Sequence, residues 1–130
     1  MVLTPGMEFE KVYESKPEDS ARHLGSGSLE VFSTPSMIKY MEETARILAD
    51  NHLEEGKTTV GIHVDIYHMK AAPIGVPIKF RVKLLSVDGK RLVFWVEAWW
   101  KDKKLGHGIH ERYVIDRESF IKKLEAELHG

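Results

Sequence analysis

Three side chains in the first half of the chain carry groups able to move protons: the hydroxyl of Thr34 and the carboxylate of Glu42 in VFSTPSMIKYMEETA, and the imidazole of His68 in HVDIYHM. Singly, each has an ordinary structural explanation. Thr34 followed by Pro35 reads as a helix opening, in which the hydroxyl accepts from an unpaired first-turn N–H and proline presets the first helical residue. On a helical wheel advancing about 100° per residue from Met37, Glu42 falls at roughly 140°, between Ala49 and Arg46, at the margin of the apolar arc. A charge there can lean out toward Arg46 and water. Glu43 lies in the middle of the charged face, with Lys39 and Arg46 at ion-pair spacing. His68 ends an apolar row, where an imidazole can satisfy itself on nearby backbone. Together the three form a different proposition, since partial desolvation of a carboxylate beside an imidazole and a hydroxyl suits it to proton transfer.

The elements that must position them follow from periodicity. Residues 7–15 alternate as a first strand, KPEDSARHLGSGS reads as a loop, and LEVFS reads as a short strand before a helix running to about Asn51. Residues 58–69 then alternate, with Val60, Ile62, Val64, Ile66 and His68 on the core face and Gly61, His63, Asp65 and Tyr67 on the other. Ile78, Phe80, Val82 and Leu84 mark the next strand, and VDGK supplies a hairpin turn. A strand over residues 90–101 follows, with Leu92, Phe94, Val96 and Ala98 facing inward and Val93, Trp95, Glu97 and Trp99 outward. Residues 105–115 form the last strand. DRESFIKKLEAELHG closes the chain as a short helix capped by Asp116, with Phe120, Ile121, Leu124 and Leu128 as its stripe. Three strands joined by short turns make an antiparallel meander, and the long helix must pack on it, an α+β arrangement. Tryptophans on the outer face predict a covering partner, most simply a second copy of the chain.

Composition narrows the function. The 130 residues suit one domain, 1–130, with 42% hydrophobic and 30% charged residues, as in a globular protein. Nineteen basic against 20 acidic residues leave a formal charge of -1, no field for nucleic acid. The absence of cysteine excludes thiol nucleophiles and thiolate metal sites. His107 and His110 lie three apart on a strand and so face opposite sides, and His63 with Asp65 offers only two ligands, so no metal is expected. The N-terminal stretch is neither a signal peptide nor a membrane span, which predicts no membrane association and a cytoplasmic location.

The segments GSGSLEVFSTPSMIKYMEETA, TTVGIHVDIYHMKAAPIGVPIKFRVKLLSVDGKRLVFWVEAW and GHGIHERYVID resemble the hotdog-fold thioesterases related to fluoroacetyl-CoA thioesterase. The similarity runs over about Gly25 to Asp116. It implies a hotdog fold, a long helix wrapped by an antiparallel sheet of about five or six strands, followed by the short C-terminal helix. It further implies hydrolysis of an acyl-CoA thioester at a Thr34, Glu42 and His68 site, with Gly61 lining the acyl end and Arg112 in support. No cofactor is implied, coenzyme A being part of the substrate, and the expected partner is a second copy with the sites at a dimer interface. RHLGSGSLE contains no aromatic residue to shape a lid around a small fluorinated acyl group, so a different acyl-CoA is expected. Lys70, Lys79, Arg81, Lys103 and Lys104 are available to coenzyme A phosphates, although outward lysines commonly serve only solvation. Two rival readings are a noncatalytic acyl-CoA-binding module and a hotdog enoyl-CoA hydratase.

Overall fold

The computed structural model describes residues 2–130. Five strands form one antiparallel sheet: β1 (Glu8–Glu14), β2 (Lys57–His68), β3 (Pro77–Asp88), β4 (Arg91–Trp100) and β5 (Lys103–Asp116), in the order β1-β3-β4-β5-β2. The meander β3-β4-β5 follows from its short turns, Gly89 (φ 60°) and Lys101 (φ 55°) taking the left-handed conformation at the two corners. Of the three α-helices, the one-turn α1 (Ala21–Leu24) and the 17-residue α2 (Thr34–Asp50) precede β2, and α3 (Arg117–His129) ends the chain.

The helix pattern survives packing. Met37, Met41, Ala45, Leu48 and Ala49 of α2 bury against Phe80, Val82, Leu84, Phe94, Val96 and Ala98 of the sheet, the contact expected of an amphipathic helix on one sheet face. Gly106 allows this at the β5–β2 end, since a Cβ there would meet the Tyr67 carbonyl and the Met37 thioether.

Several expectations are corrected. LEVFS forms no named strand; Val31 and Phe32 make single bridges to Pro73 and Ser20. The segment read as loop contains α1, which Ser20 caps by accepting from the His23 N–H and Gly25 ends at φ 74°. Arg46 bonds Asp50 at 2.7 Å and Lys39 reaches Asp19, so neither completes the expected pairing with Glu43. None of α3 is buried, and its stripe at Ile121, Leu124 and Leu128 is uncovered. On the outer sheet face, the Glu97 carboxylate accepts from both the Trp95 and Trp99 indoles and Lys104 lies over both rings. The chain thus covers these tryptophans in part with its own residues.

Asp19 ties the N-terminal segment to α2. It is 3% exposed, accepts from the Lys16 N–H (2.9 Å), the Tyr40 hydroxyl (2.8 Å) and the Ser36 hydroxyl (3.2 Å), and pairs with Lys39. Burial works to raise its carboxyl, but these donors and the Lys39 charge outweigh burial and hold it below its ordinary value. The stabilisation is therefore fully present above the unfolded pKa of about 4 and is lost as pH falls through the lower folded value. Asp19→Asn is expected to reduce the unfolding free energy by about 2 kcal/mol near neutrality, with the gap from the parent narrowing in acid. Urea unfolding at a series of pH values measures both.

Candidate active site

Ser33, not Thr34, caps α2: its hydroxyl accepts from the Ser36 N–H at 3.1 Å, and Thr34 is the first helical residue. Capping by the neighbour frees the Thr34 hydroxyl, which lies 2.7 Å from Nδ1 of His68 at the end of β2. Val31, Phe32, Ser33 and Met69 help form a pocket of about 260 Å³ around this pair. His68 is half-buried, and burial pushes its imidazole below the ordinary value against an opposing contact with the Lys70 backbone. It is therefore neutral near pH 7 and able to accept a proton. Its Nε2 is covered and without a partner among the described residues, which leaves the Thr34-bound Nδ1 as the nitrogen facing the pocket.

Glu42 lies elsewhere. Eight residues of helix carry it about 12 Å from Thr34. There it lines a second cavity of about 310 Å³ with Gly61, Ile62, His63, Val64 and His110. Arg46 being taken by Asp50, Glu42 has no ion-pair partner among the described residues. It is half-buried, not swung out to the solvated face.

Strict alternation places Gly61 and His68 on opposite faces of β2, and the structure overturns that expectation. A bulge between Gly61 and His63 inserts Ile62 as an extra residue in the pairing with β5. Before it Gly61 opposes Arg112, and after it Val64 opposes His110, with both partners buried on the α2 side. Val60, opposite Tyr113, is moved to the outer face, while Ile66 and His68 stay on the α2 side. A Cβ on Gly61 would lie 3.3 Å from His110 Cε1, 3.4 Å from an Arg112 terminal nitrogen and 3.6 Å from Glu42 Oε1. The bare glycine leaves a gap the size of a small group among a carboxylate, a guanidinium and an imidazole.

Arg112 is 6% exposed and held by three bonds: Nε to the Thr59 hydroxyl (2.7 Å), one terminal nitrogen to the Thr59 carbonyl (2.9 Å) and the other to His110 Nε2 (3.0 Å). Burial lowers its pKa while the nearby Glu42 charge raises it. His110, 1% exposed, lies with Nδ1 2.8 Å from the His63 carbonyl, so Nδ1 carries the proton and Nε2 accepts from Arg112. Sequence reasoning weighed His110 only as a metal ligand; the available signal for a place in this site was its position two residues before Arg112, hence on the same strand face. His107 faces the opposite side as expected, its ring tilted at 52° against that of Trp95. Among the described residues no three His, Asp or Glu side chains are placed to hold a metal ion, and no helix is long and apolar enough to cross a membrane.

The family profile described as fluoroacetyl-CoA-specific thioesterase matches residues 16–118. A fluoroacetyl-CoA thioesterase from Streptantibioticus cattleyicolor is 32% identical over 125 residues, covering 92% of this chain and 90% of the relative. A solved fluoroacetyl-CoA thioesterase structure superposes with a TM-score of 0.89 at 30% identity, over 97% of this chain and 98% of that one. A hot-dog-like protein from Thermanaerovibrio acidaminovorans has the same fold, with a TM-score of 0.87 at 23% identity over 97% and 93% of the two chains.

The division of labour at the start of α2 has a measurable signature. Ser33→Ala removes the cap and is expected to cost about 1 kcal/mol of stability, whereas Thr34→Ala should cost less than half as much. Chemical denaturation of the two variants checks this; the reverse order would reassign the cap to Thr34.

Proposed function

Because the chain belongs to the fluoroacetyl-CoA-specific thioesterase family, we propose that it hydrolyses an acyl-CoA thioester at a site assembled between two copies from Thr34, Glu42 and His68. The observation that carries this reading is the separation of the site into two incomplete halves on one chain. One half holds the Thr34–His68 pair and the other holds Glu42 with Gly61 and Arg112. Both halves face the α2 side of β2, and β2 is an edge of the sheet.

That edge is suited to pairing. Residues 61–65 are all exposed, and Ile62 and Val64, at 51% and 42% exposure, place apolar surface along it. Antiparallel pairing of β2 with its own copy about a two-fold axis near Asp65 would set the bulge of one chain beside His68 of the other. A symmetric dimer of this kind carries two complete sites.

In the assembled site, Gly61 leaves room for the acyl end and Arg112 places positive charge nearby, where charge develops on the thioester oxygen. Glu42 either attacks the carbonyl, expelling the coenzyme A thiolate and leaving a mixed anhydride for water to open, or takes the proton of an attacking water. In the anhydride route the water that opens it loses a proton to the Thr34 hydroxyl as Thr34 passes its own to His68 Nδ1 along their 2.7 Å contact, and the imidazolium returns the proton to the thiolate. Single turnover in heavy-oxygen water separates the routes, since only the anhydride route labels the Glu42 side chain. The segment from Arg22 to Glu30 brings no aromatic residue to the Thr34–His68 pocket, which it borders through Ser26, and this supports an acyl group other than fluoroacetyl.

Thiol release from a panel of acyl-CoA substrates tests the activity. Glu42→Ala and His68→Ala are each expected to lower turnover at least 100-fold with the fold intact, and near-normal rates in both would remove the proposed site. Saturable binding without thiol release would favour a noncatalytic module, and water addition without acid formation a hydratase. Co-expressed Glu42→Ala and His68→Ala chains should regain about a quarter of parental activity, since half the dimers are mixed and each mixed dimer has one intact site. No recovery would place the whole site within one chain. Because neutral His68 accepts the proton, kcat/KM should rise with pH through an apparent pKa below that of an ordinary histidine and level off by neutrality.

A further inference from the structure

We propose that His110 is a positioning residue of this site, which locks Arg112 against the cavity shared by Glu42 and Gly61 and ties it to the bulge of β2. The proposal rests on the reading of Glu42 as the acting carboxylate. His110 cannot itself exchange protons with a substrate: it is 1% exposed, its Nδ1–H is given to the His63 carbonyl, and its Nε2 lone pair is given to Arg112. Both ring nitrogens are committed to holding other groups.

What they hold are two parts of the same cavity wall. The His63 carbonyl belongs to the first residue after the bulge that turns Gly61 toward α2. The guanidinium is planar, so three anchored donors, two on Thr59 and one on His110, fix its plane and the direction of its remaining N–H groups. Of these anchors only His110 also touches the bulged segment. Among the described residues Arg112 makes no ion pair with Glu42; a terminal nitrogen of the one and Oε1 of the other lie 3.4 Å and 3.6 Å from where a Gly61 Cβ would stand. A guanidinium aimed across that gap meets whatever small group enters it, and a guanidinium free to rotate toward Glu42 would close it.

The device requires a neutral imidazole, because a proton on Nε2 would point at the guanidinium and break the bond. Burial holds His110 below the ordinary histidine value, and the Arg112 and His63 charges act in the same sense. Against these stand the His63 backbone contact and the Glu42 charge from α2. Phe94, opposite on β4, contributes no charge.

Two conservative variants separate the arms, since asparagine reproduces the Nδ1 donor and glutamine the Nε2 acceptor. His110→Gln should keep kcat within about tenfold of the parent, whereas His110→Asn should lower it about 100-fold, the cost of a misplaced catalytic group, with KM little changed. In an Arg112→Met background His110→Asn should lower kcat no further. Near-normal kcat in His110→Asn, or an equal loss in the Arg112→Met background, overturns the proposal. Should His110→Asn fail to fold, His110→Gln decides alone: it should lose one ionisation from the acid limb of kcat/KM, and an unchanged limb overturns the proposal. Normal turnover in Glu42→Ala would instead overturn the underlying reading, so the two failures are distinct.

Discussion

Gly61 and His68 are seven positions apart, and an uninterrupted strand must turn side chains at that odd spacing to opposite faces. The extra residue at Ile62 removes that constraint. It lets the open backbone at Gly61 and the imidazole at His68 share the face covered by α2, and it also moves Val60 to the outer side. Everything proposed for the chemistry depends on this one change of phase. With regular pairing counted back from His68, Ile62 would oppose Arg112, and its side chain would fill the gap that Gly61 leaves beside Glu42. Bulges cost a ladder hydrogen bond and strengthen local twist, and they recur where a strand must re-aim a functional group. Here the His110 ring accompanies the irregularity, bonded to the His63 carbonyl at its C-terminal end.

Two buried charges at different points along α2 serve comparable purposes. Asp19 gathers an amide, two hydroxyls and an ammonium around the first turns of the helix, next to the Thr34–His68 pair. Arg112 gathers a hydroxyl, a carbonyl and an imidazole under the segment of helix that carries Glu42. A buried ion is costly unless its hydrogen-bonding capacity is met, and near-complete satisfaction makes both groups rigid. The apolar contacts of α2, from Met37 to Leu48, supply most of the adhesion between helix and sheet. The two polar clusters set its register.

Long periodic segments were legible in the residues: α2, the three-strand meander, the Asp88-Gly89 turn and the inward rows of β3 and β4 lie where alternation and helical spacing place them. The hidden features turn on single residues. Ser33 and Thr34 are both good caps, and pattern alone cannot choose between them; the structure spends one hydroxyl on the helix and leaves the other for His68. The bulge leaves no mark beyond a mid-strand glycine. Asp19 sits in a run of Pro, Ser and Gly that reads as solvated loop, yet it is among the most buried charges of the chain. The structure brings Thr34 and His68 into contact; that Glu42 stands two helical turns away from Thr34 is a fact of three-dimensional distance that a wheel does not contain.

The two rims of the sheet are unlike. β1 lines its rim with Glu8, Glu10, Lys11 and Glu14 around a single exposed valine, Val12, a largely charged fringe that resists addition of another strand, whereas β2 presents Ile62 and Val64 together. Such polarity means that polymerisation through sheet edges has only one sticky end per chain. Two such ends, once joined, extinguish each other, so growth terminates at its first step and runaway fibre formation is denied a second foothold.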